Sequence, residues 1–560
     1  VALVLRETNT PVEALSHAAA AISAYLDHSR HSLFERAMHQ AAMNGDLRVV
    51  RWLSAFAPDA SVTLALSVAA SCGHLHVLEW LHEHHANVVW SLVEADSAAE
   101  NDHFPVVRWL HEHTRAQTMA IFGRNGRQYG RTPLDFAARN GNLEMLQWLH
   151  ERQCPGGAYA LELAAERGHV HVVQWLLANR PGQGRFAVAL ERAAGRGQLE
   201  AVVLLHSCFS GPCSCIAMEA AAKDGHLDVL KWLHRHRDDG STTEAMNQAA
   251  ANGYLEAVVW LHANRPEGCT TKAMNEAASN GHLEIVAWLH EHRSEGCTTA
   301  AMDCAAHHGH LDVVKWLHEN RTEGCTTAAM DSAATHGFLD VVKWLHENRS
   351  EGGTAAAMDK AAGGGHLETV RWLHDHRAEG CTTAAMDQAC AHGHADVAEW
   401  LHAHRREGCT AAAMDGAAEN NHVHVLQWLQ THRADSGCST GAMDEAARRG
   451  HLQVVKWLHT HRREGCTTRA MDNAAGRGNF EILLFLHTHR REGCTARAAK
   501  AAAENNHLAI LSWLAETYPE QVNLDAIRAL ADFDPGQEGG NHLYLRHWFA
   551  DRERAKESGR

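Results

Sequence analysis

Proline is rare in this sequence, with 10 copies in 560 residues, so little interrupts helix formation. Charged residues are not in excess, at 21% against 45% hydrophobic, a balance that excludes wholesale disorder. No apolar run approaches the roughly 18 residues of a membrane-spanning helix. The opening Val-Ala-Leu-Val-Leu, with no basic flank before it, is too short for a signal-peptide core. An initiating methionine is absent, and residue 1 is accordingly expected to be a processed or truncated start. Basic side chains are outnumbered, 51 against 67 acidic, and the resulting −16 repels a phosphate backbone. Nucleic acid is therefore not expected as a partner. Also missing are Gly-x4-Gly-Lys-Ser/Thr, His-Glu-x-x-His and Gly-x-Ser-x-Gly, so no standard catalytic motif anchors an activity. The chain reads as a non-enzyme without cofactors.

What is abundant is histidine, with 47 copies, and tryptophan, with 17. Protonating every histidine would add 47 charges and carry the net charge from −16 to +31, which predicts sensitivity to mild acid. The abundance comes from repetition. Met246, Met274, Met302, Met330, Met358, Met386 and Met414 recur every 28 residues, and Met443 and Met471 follow after one extra residue. Trp232 through Trp428 keep the same step, and after one extra residue Trp457, Phe485 and Trp513 resume it. Earlier anchors are Trp52, Trp80, Trp109, Trp148, Trp175 and Leu204. Seventeen units result, with Trp548 placed to anchor an eighteenth.

Residues 297 to 324 show how one unit reads. In Cys297-Thr298-Thr299 a threonine hydroxyl can cap a first helix. Met302, Ala305 and Ala306 then share one face, and such small residues permit close approach of a neighbour. Gly309 suits a left-handed stop. Leu311, Val313, Val314, Trp316 and Leu317 form the apolar stripe of a second helix, with Asp312 near its positive end and His318 and Arg321 near its negative end. Gly324 breaks the chain again. Such a unit cannot bury its own apolar faces, so neighbours must stack. The expected fold is all-α, a helix-turn-helix solenoid of roughly 17–18 repeats. Glycines interrupt each unit twice, which a coiled coil would not tolerate.

The pattern Ala-Met-Asp-x-Ala-Ala-x-x-Gly-His-Leu-x-Val-Val-x-Trp-Leu-His resembles the ankyrin repeat. The nearest local match is Thr132-Pro133-Leu134-Asp135-Phe136-Ala137-Ala138 followed by Gly141-Asn142-Leu143, with Asp135 where the family usually has His. The resemblance runs from about residue 31 to about 520. Ankyrin units span about 33 residues, and the shortfall falls where the family carries its β-hairpin finger. A short loop such as Arg321-Thr322-Glu323-Gly324 stands there instead. Residues 1–30 are expected to form a helical cap or the end of an upstream region, 31–520 the array, and 521–560 a capping unit with a polar tail. Between Trp109 and Trp148 the spacing stretches to 39 residues, and an exposed loop is expected over residues 115–131.

Several residue columns invite chemistry and have a plainer reading. Cys269, Cys297, Cys325, Cys381, Cys409, Cys438, Cys466 and Cys494 share one position in different units. Packed helices about 8–10 Å apart hold such thiols beyond disulfide reach, which implies a reducing compartment, cytoplasmic or failing that nuclear. Cys208, Cys213 and Cys215 cluster without a standard zinc spacing. In His290/His292, His374/His376 and His402/His404 the two rings do not face each other on one helix, so the first is read as closing the helix face and the second as meeting the helix end, with no metal. His282, His310 and His366, after glycine, are expected to bond turns between units. Asp303, Asp331, Asp359 and Asp387 form a row where an active site needs converging groups, so inter-repeat bonding is expected. Because Leu204 and Phe485 replace tryptophan in its column, a buried ladder is predicted.

Function is expected at positions that vary. Gln248, Cys304, Ser332, Lys360, Gln388 and Asn473 follow the fixed Met-Asp or Met-Asn. The pairs Ser279/Asn280, His307/His308, Thr335/His336, Glu419/Asn420 and Arg448/Arg449, with His392 and Arg477, precede the glycine position. Positions accepting Gly, His, Glu and Arg alike do not lie in a packed core, and the resemblance places them on a concave groove. They are the candidate protein-binding residues of a monomeric interaction scaffold. Two alternatives stand beside this: the recruiting array of a larger protein whose effector domain precedes residue 1, and a nucleic-acid-reading helical repeat.

Overall fold

A threonine opens the first helix of most repeats. In the computed structural model, Oγ1 of Thr326 accepts from Ala328 N at 3.1 Å and Oγ1 of Thr354 from Ala356 N at 3.1 Å. These caps satisfy backbone donors that a helix start leaves unpaired. The structure describes residues 36–56, 62–85, 90, 92–114, 132–154, 156–182, 184–208, 216–236, 242–532, 545, 548–549 and 552. The sequence-predicted cap at residues 1–30, the insertion at 115–131, the Cys213 and Cys215 positions, the Asp534-Pro535-Gly536 turn and nearly all of the polar tail fall outside them.

Each repeat is a pair of helices, as in Thr327–Thr335 with Leu339–Asn348 and Ala355–Gly363 with Leu367–His376. Gly337 turns the chain at φ +74°, its N–H reaching Ala334 O at 3.1 Å while Phe338 N reaches Ala333 O at 3.0 Å. Only residues that accept positive φ fit there, and Asn421 (φ +66°) and Asn506 (φ +59°) take the place of glycine in their repeats. Among the described residues there is no strand. Where a β-finger would stand, Arg349 pairs with Glu351 and the chain turns again at Gly352, φ +70°.

Contacts divide the described residues into an earlier unit that runs to Ala301 and a later one that begins at Met302. In the earlier unit, first helices such as Thr243–Ala251 and Thr271–Ser279 pack on one another through alanines, with Ala249, Ala250, Ala277 and Ala278 fully buried. In the later unit, Thr383–Ala391 packs likewise on Ala411–Glu419. Second helices bury Val and Leu, as with Val341, Val342 and Leu345. Burying each such side chain contributes about 1.5–3 kcal/mol.

Trp109 is buried, but most of the tryptophan column departs from expectation. Trp344, Trp372 and Trp400 are half-buried, and Trp52 is 65% exposed. Valine and leucine hold the inward positions of the second helix, leaving the indole on its flank. There Trp372 stacks on His376 at 4.6 Å, and His346 of the preceding repeat meets it edge-on at 5.2 Å.

Candidate interaction surface

The recurring carboxylates are spent inside the stack. Asp359 accepts from Thr382 N at 2.7 Å and from Thr382 Oγ1 at 2.7 Å, joining one repeat to the next. Asp303, Asp331 and Asp387 hold Thr326, Thr354 and Thr410 in the same way. Asp135 has the same duty, accepting from Tyr159 N at 2.9 Å. The row of carboxylates is therefore a row of braces.

The histidine columns are similarly engaged. Nδ1 of His376 and of His404 donates to the carbonyl of Trp372 and Trp400 at the helix end. The first histidine of each such pair packs against the next repeat's indole, as His374 does on Trp400 at 5.1 Å. Among the described residues, no group of three or more His, Cys, Asp or Glu is placed to hold a metal ion. The buried thiols of Cys381 and Cys466 are pushed up by burial to about 11 and about 12, and neither is disulfide-bonded.

The candidate binding residues lie in the second half of the first helices or just beyond them, and none is buried. Several nevertheless have structural partners. Asn280 Nδ2 donates to Ala251 O at 2.7 Å, Asn420 Nδ2 to Ala391 O at 2.9 Å, and His392 Nδ1 to Gly363 O at 2.9 Å, each reaching back one repeat. Thr335 Oγ1 bonds Asp331 O, and the Nδ1 atoms of His308 and His336 bond Cys304 O and Ser332 O within their own helices. The His307 ring packs edge-on to His308 at 4.6 Å and His336 at 4.4 Å, and burial, followed by the charges of His336 and His308, lowers its pKa. Gln248 bonds Glu244, and Gln388 lies over Gly363, where an added methyl would sit 2.7 Å from its Oε1. Asn473 is half-buried, with its Nδ2 lacking a hydrogen-bond partner. Ser279 lies half-buried, and Lys360 and Arg477 are exposed.

Arg448 and Arg449 are less free than the sequence implies. Both pair with Glu419 of the preceding repeat, at 3.4 and 2.5 Å, and Arg448 also binds Glu445, which raises its pKa. Reversing their charge would therefore disturb the stack as well as the surface.

One feature of the earlier unit was not foreseen. Glu166, Glu191, Arg192, Arg196, Lys223 and Asp224 rim an open cleft of about 500 Å³ whose floor is Gly195 and Ala220. Glu166 is held by Arg192 at 2.8 Å and Arg196 at 3.5 Å. The cleft occupies the same columns as the candidates downstream, since Gly195/Arg196 and Lys223/Asp224 precede the glycine as Arg448/Arg449 do. The sequence signal was that register, hidden because Glu191 and Glu219 replace the Met-following Asp.

Stacked helix pairs with a fixed interior and changing helix ends define a helical repeat solenoid. The family follows from sequence models described as ankyrin repeats in many copies, which match residues 35–82, 95–150, 218–262, 358–402 and 409–459, and as ankyrin repeats in three copies, which match 246–328 and 274–354. These matches cover more than half of the chain, which belongs to the ankyrin-repeat family. No curated protein sequence matches it. Among solved structures, the pentatricopeptide repeat protein PPR10 from maize is similar at 10% identity and TM-score 0.28, over 89% of each chain. A cysteine-substituted PPR10 in complex with an 18-nt PSAJ RNA element is similar at 9% identity and TM-score 0.32, over 86% of this chain and 84% of that one.

Proposed function

We propose that the chain is a non-enzymatic, monomeric scaffold that binds other proteins through the ends of its first helices. The observation that carries this reading is the division of labour within each repeat. Met, Asp, Thr and the glycine after the first helix are committed to stacking in repeat after repeat, while neighbouring positions present a different chemistry each time: Lys360, then Gln388, then Gly416. A surface whose framework is constant and whose exposed pattern changes is suited to recognising one extended partner. Ankyrin repeats generally serve as protein-interaction modules, which agrees. A net charge of −16 argues against a phosphate-backbone partner. The thiols favour a reducing compartment, for which the cytoplasm is the natural assignment.

The test is affinity capture from a proteome with the native chain and with two variants whose substituted residues are exposed or line the cleft, Lys360→Glu/Arg477→Glu and Lys223→Glu/Asp224→Lys. Surface changes of this kind cost within about ±0.5 kcal/mol, so folding is preserved. Loss of a specific set of captured proteins in either variant supports the reading. Identical capture by all three chains removes the first-helix ends as the binding surface.

A further inference from the structure

In several repeats the histidine that follows the turn glycine sits on the glycine of the repeat before it. A methyl placed on Gly337 would lie 2.5 Å from His366 Nδ1, one on Gly365 2.6 Å from His394 Nδ1, and one on Gly393 2.6 Å from His422 Nδ1. The ring fills the space that the missing side chain leaves. Nε2 is held in the pattern that His169 shows, bonded to Arg139 O at 3.0 Å, two residues before the glycine. His366 bonds the carbonyl of Thr335 and His451 that of Glu419 in the same way. A carbonyl can only accept, so Nε2 carries the proton of the neutral ring. At His366 any second proton must therefore enter at Nδ1, the nitrogen that lies against Gly337, whose Cα–H offers no acceptor.

The titratable and charged side chains around these rings disfavour a further positive charge. Facing His366 are His336 of the preceding repeat and His394 of the following one. Facing His422 are His424 on its own helix, His392 and His394 before it, and His451 after it. Facing His451 is Arg449, itself paired with Glu419. Burial first, then these like charges, hold the pKa of His366, His422 and His451 below the ordinary imidazole value of 6.5. The carbonyl bonds of His366 and His451 oppose this only in part.

We propose that His366 and His422, with the His394 ring seated between them, form an acid-responsive seam, which holds successive repeats together at neutral pH and loosens residues 336–422 under mild acid. As pH falls through 6.5 the open chain takes up protons that the closed stack refuses, so stability declines from there downward. Each ring that charges raises the cost for its neighbours, so the seam opens over several repeats together. The device is independent of whether a protein partner binds.

The chain itself supplies non-titrating replacements for the seat. Phe338 occupies it over Gly309, and Asn479 occupies it over Gly450, donating to Ala447 O at 3.0 Å. The test is hydrogen–deuterium exchange of the full chain at pH 7.5 and 5.5, corrected for intrinsic rates and read by peptide. One pH unit below the unfolded value, each histidine held neutral shifts the opening equilibrium by up to roughly tenfold. The wild type is expected to lose protection at least tenfold across residues 360–430, while His366→Phe/His394→Phe/His422→Phe loses less than twofold. The corresponding triple Asn variant, for which Asn479 is the chain's own precedent, gives the same reading if the Phe variant does not fold. Unchanged protection in the wild type, or equal loss in the wild type and the folded variants, overturns the proposal.

Discussion

Asp359→Ala isolates what one brace between repeats is worth. Asp359 is 7% exposed and accepts two hydrogen bonds from Thr382, one from the backbone N–H and one from the hydroxyl, both at 2.7 Å. Hydrogen bonds to a charged group contribute about 1.5–3 kcal/mol each, and a partner left unsatisfied adds to the loss. The hydroxyl can turn to water while the amide cannot, so about 3 kcal/mol is expected, roughly two orders of magnitude in the local opening equilibrium. Asp359→Asn should cost far less, because Asn247 and Asn275 already stand in this column. Oδ1 of each accepts from the following threonine N–H at 3.0 Å, and Asn275 Nδ2 donates to Thr298 Oγ1 at 2.9 Å. Under about 1 kcal/mol is expected for that variant. Hydrogen exchange resolved by peptide is the suitable assay, since damage in a solenoid concentrates at the altered interface. Faster exchange should appear from about residue 355 to 405 in the alanine variant. Equal exchange in both variants, or none in either, would refute the argument that bond geometry carries the brace.

Three further outcomes follow from other columns. Gly337→Ala should cost more in urea denaturation than the about 1–2 kcal/mol of its left-handed backbone, because the added methyl would also lie 2.5 Å from His366 Nδ1, and adding His366→Ala should relieve that crowding but not the backbone part. Glu464 is disfavoured by burial, yet Arg462 and the N–H of Cys438 hold its carboxyl down at about 2, below the ordinary 4.5. Its stabilisation is present above pH 4.5 and is lost as pH falls toward 2, so the gap in stability between wild type and Glu464→Gln should narrow over that range. Thiol reagent at neutral pH should modify exposed Cys208 first among the described cysteines, and Cys325, Cys381 and Cys466 only on unfolding, because burial raises their pKa to about 11, 11 and 12. Labelling of those three at the rate of Cys208 would show the repeat interfaces to be open.

The helix pairs were legible because each carries its own punctuation. Threonine, the Met-Asp step, the glycine turn and the Val/Leu stripe each act through contacts within one repeat or with its neighbour, at constant separation along the chain. The tryptophans were misread for a physical reason. Exchange of Trp for Leu204 or Phe485 shows that the position tolerates other apolar groups, but tolerance of that kind is equally met on a half-buried flank, where His487 packs on Trp513 and His459 on Phe485. The cleft at Gly195 and Ala220 was missed because it is formed by absent side chains. Small residues on two neighbouring first helices become a cavity only where charged residues of these repeats rise around them.

The candidate surface shows where variation within one chain misleads. Asn280, Asn420 and His392 differ in type, yet each gives a side-chain N–H to the carbonyl one repeat back. Asn140 does the same at Ala99 O, 3.0 Å. What these sites share is a donor of suitable reach, a requirement that asparagine and histidine both meet and that a residue-by-residue comparison reads as freedom. At Arg448 and Arg449 the requirement is met by charge, with Glu419 as the acceptor. The position immediately before the turn is thus half-committed to stacking, and a partner that engaged it would have to compete with the neighbouring repeat. Positions such as Lys360, on the next turn of the helix back, carry no such duty. If recognition is written anywhere along the first helices, it is written there, and substitutions at Lys360 should alter capture of a partner at smaller cost to the fold than substitutions at Arg449.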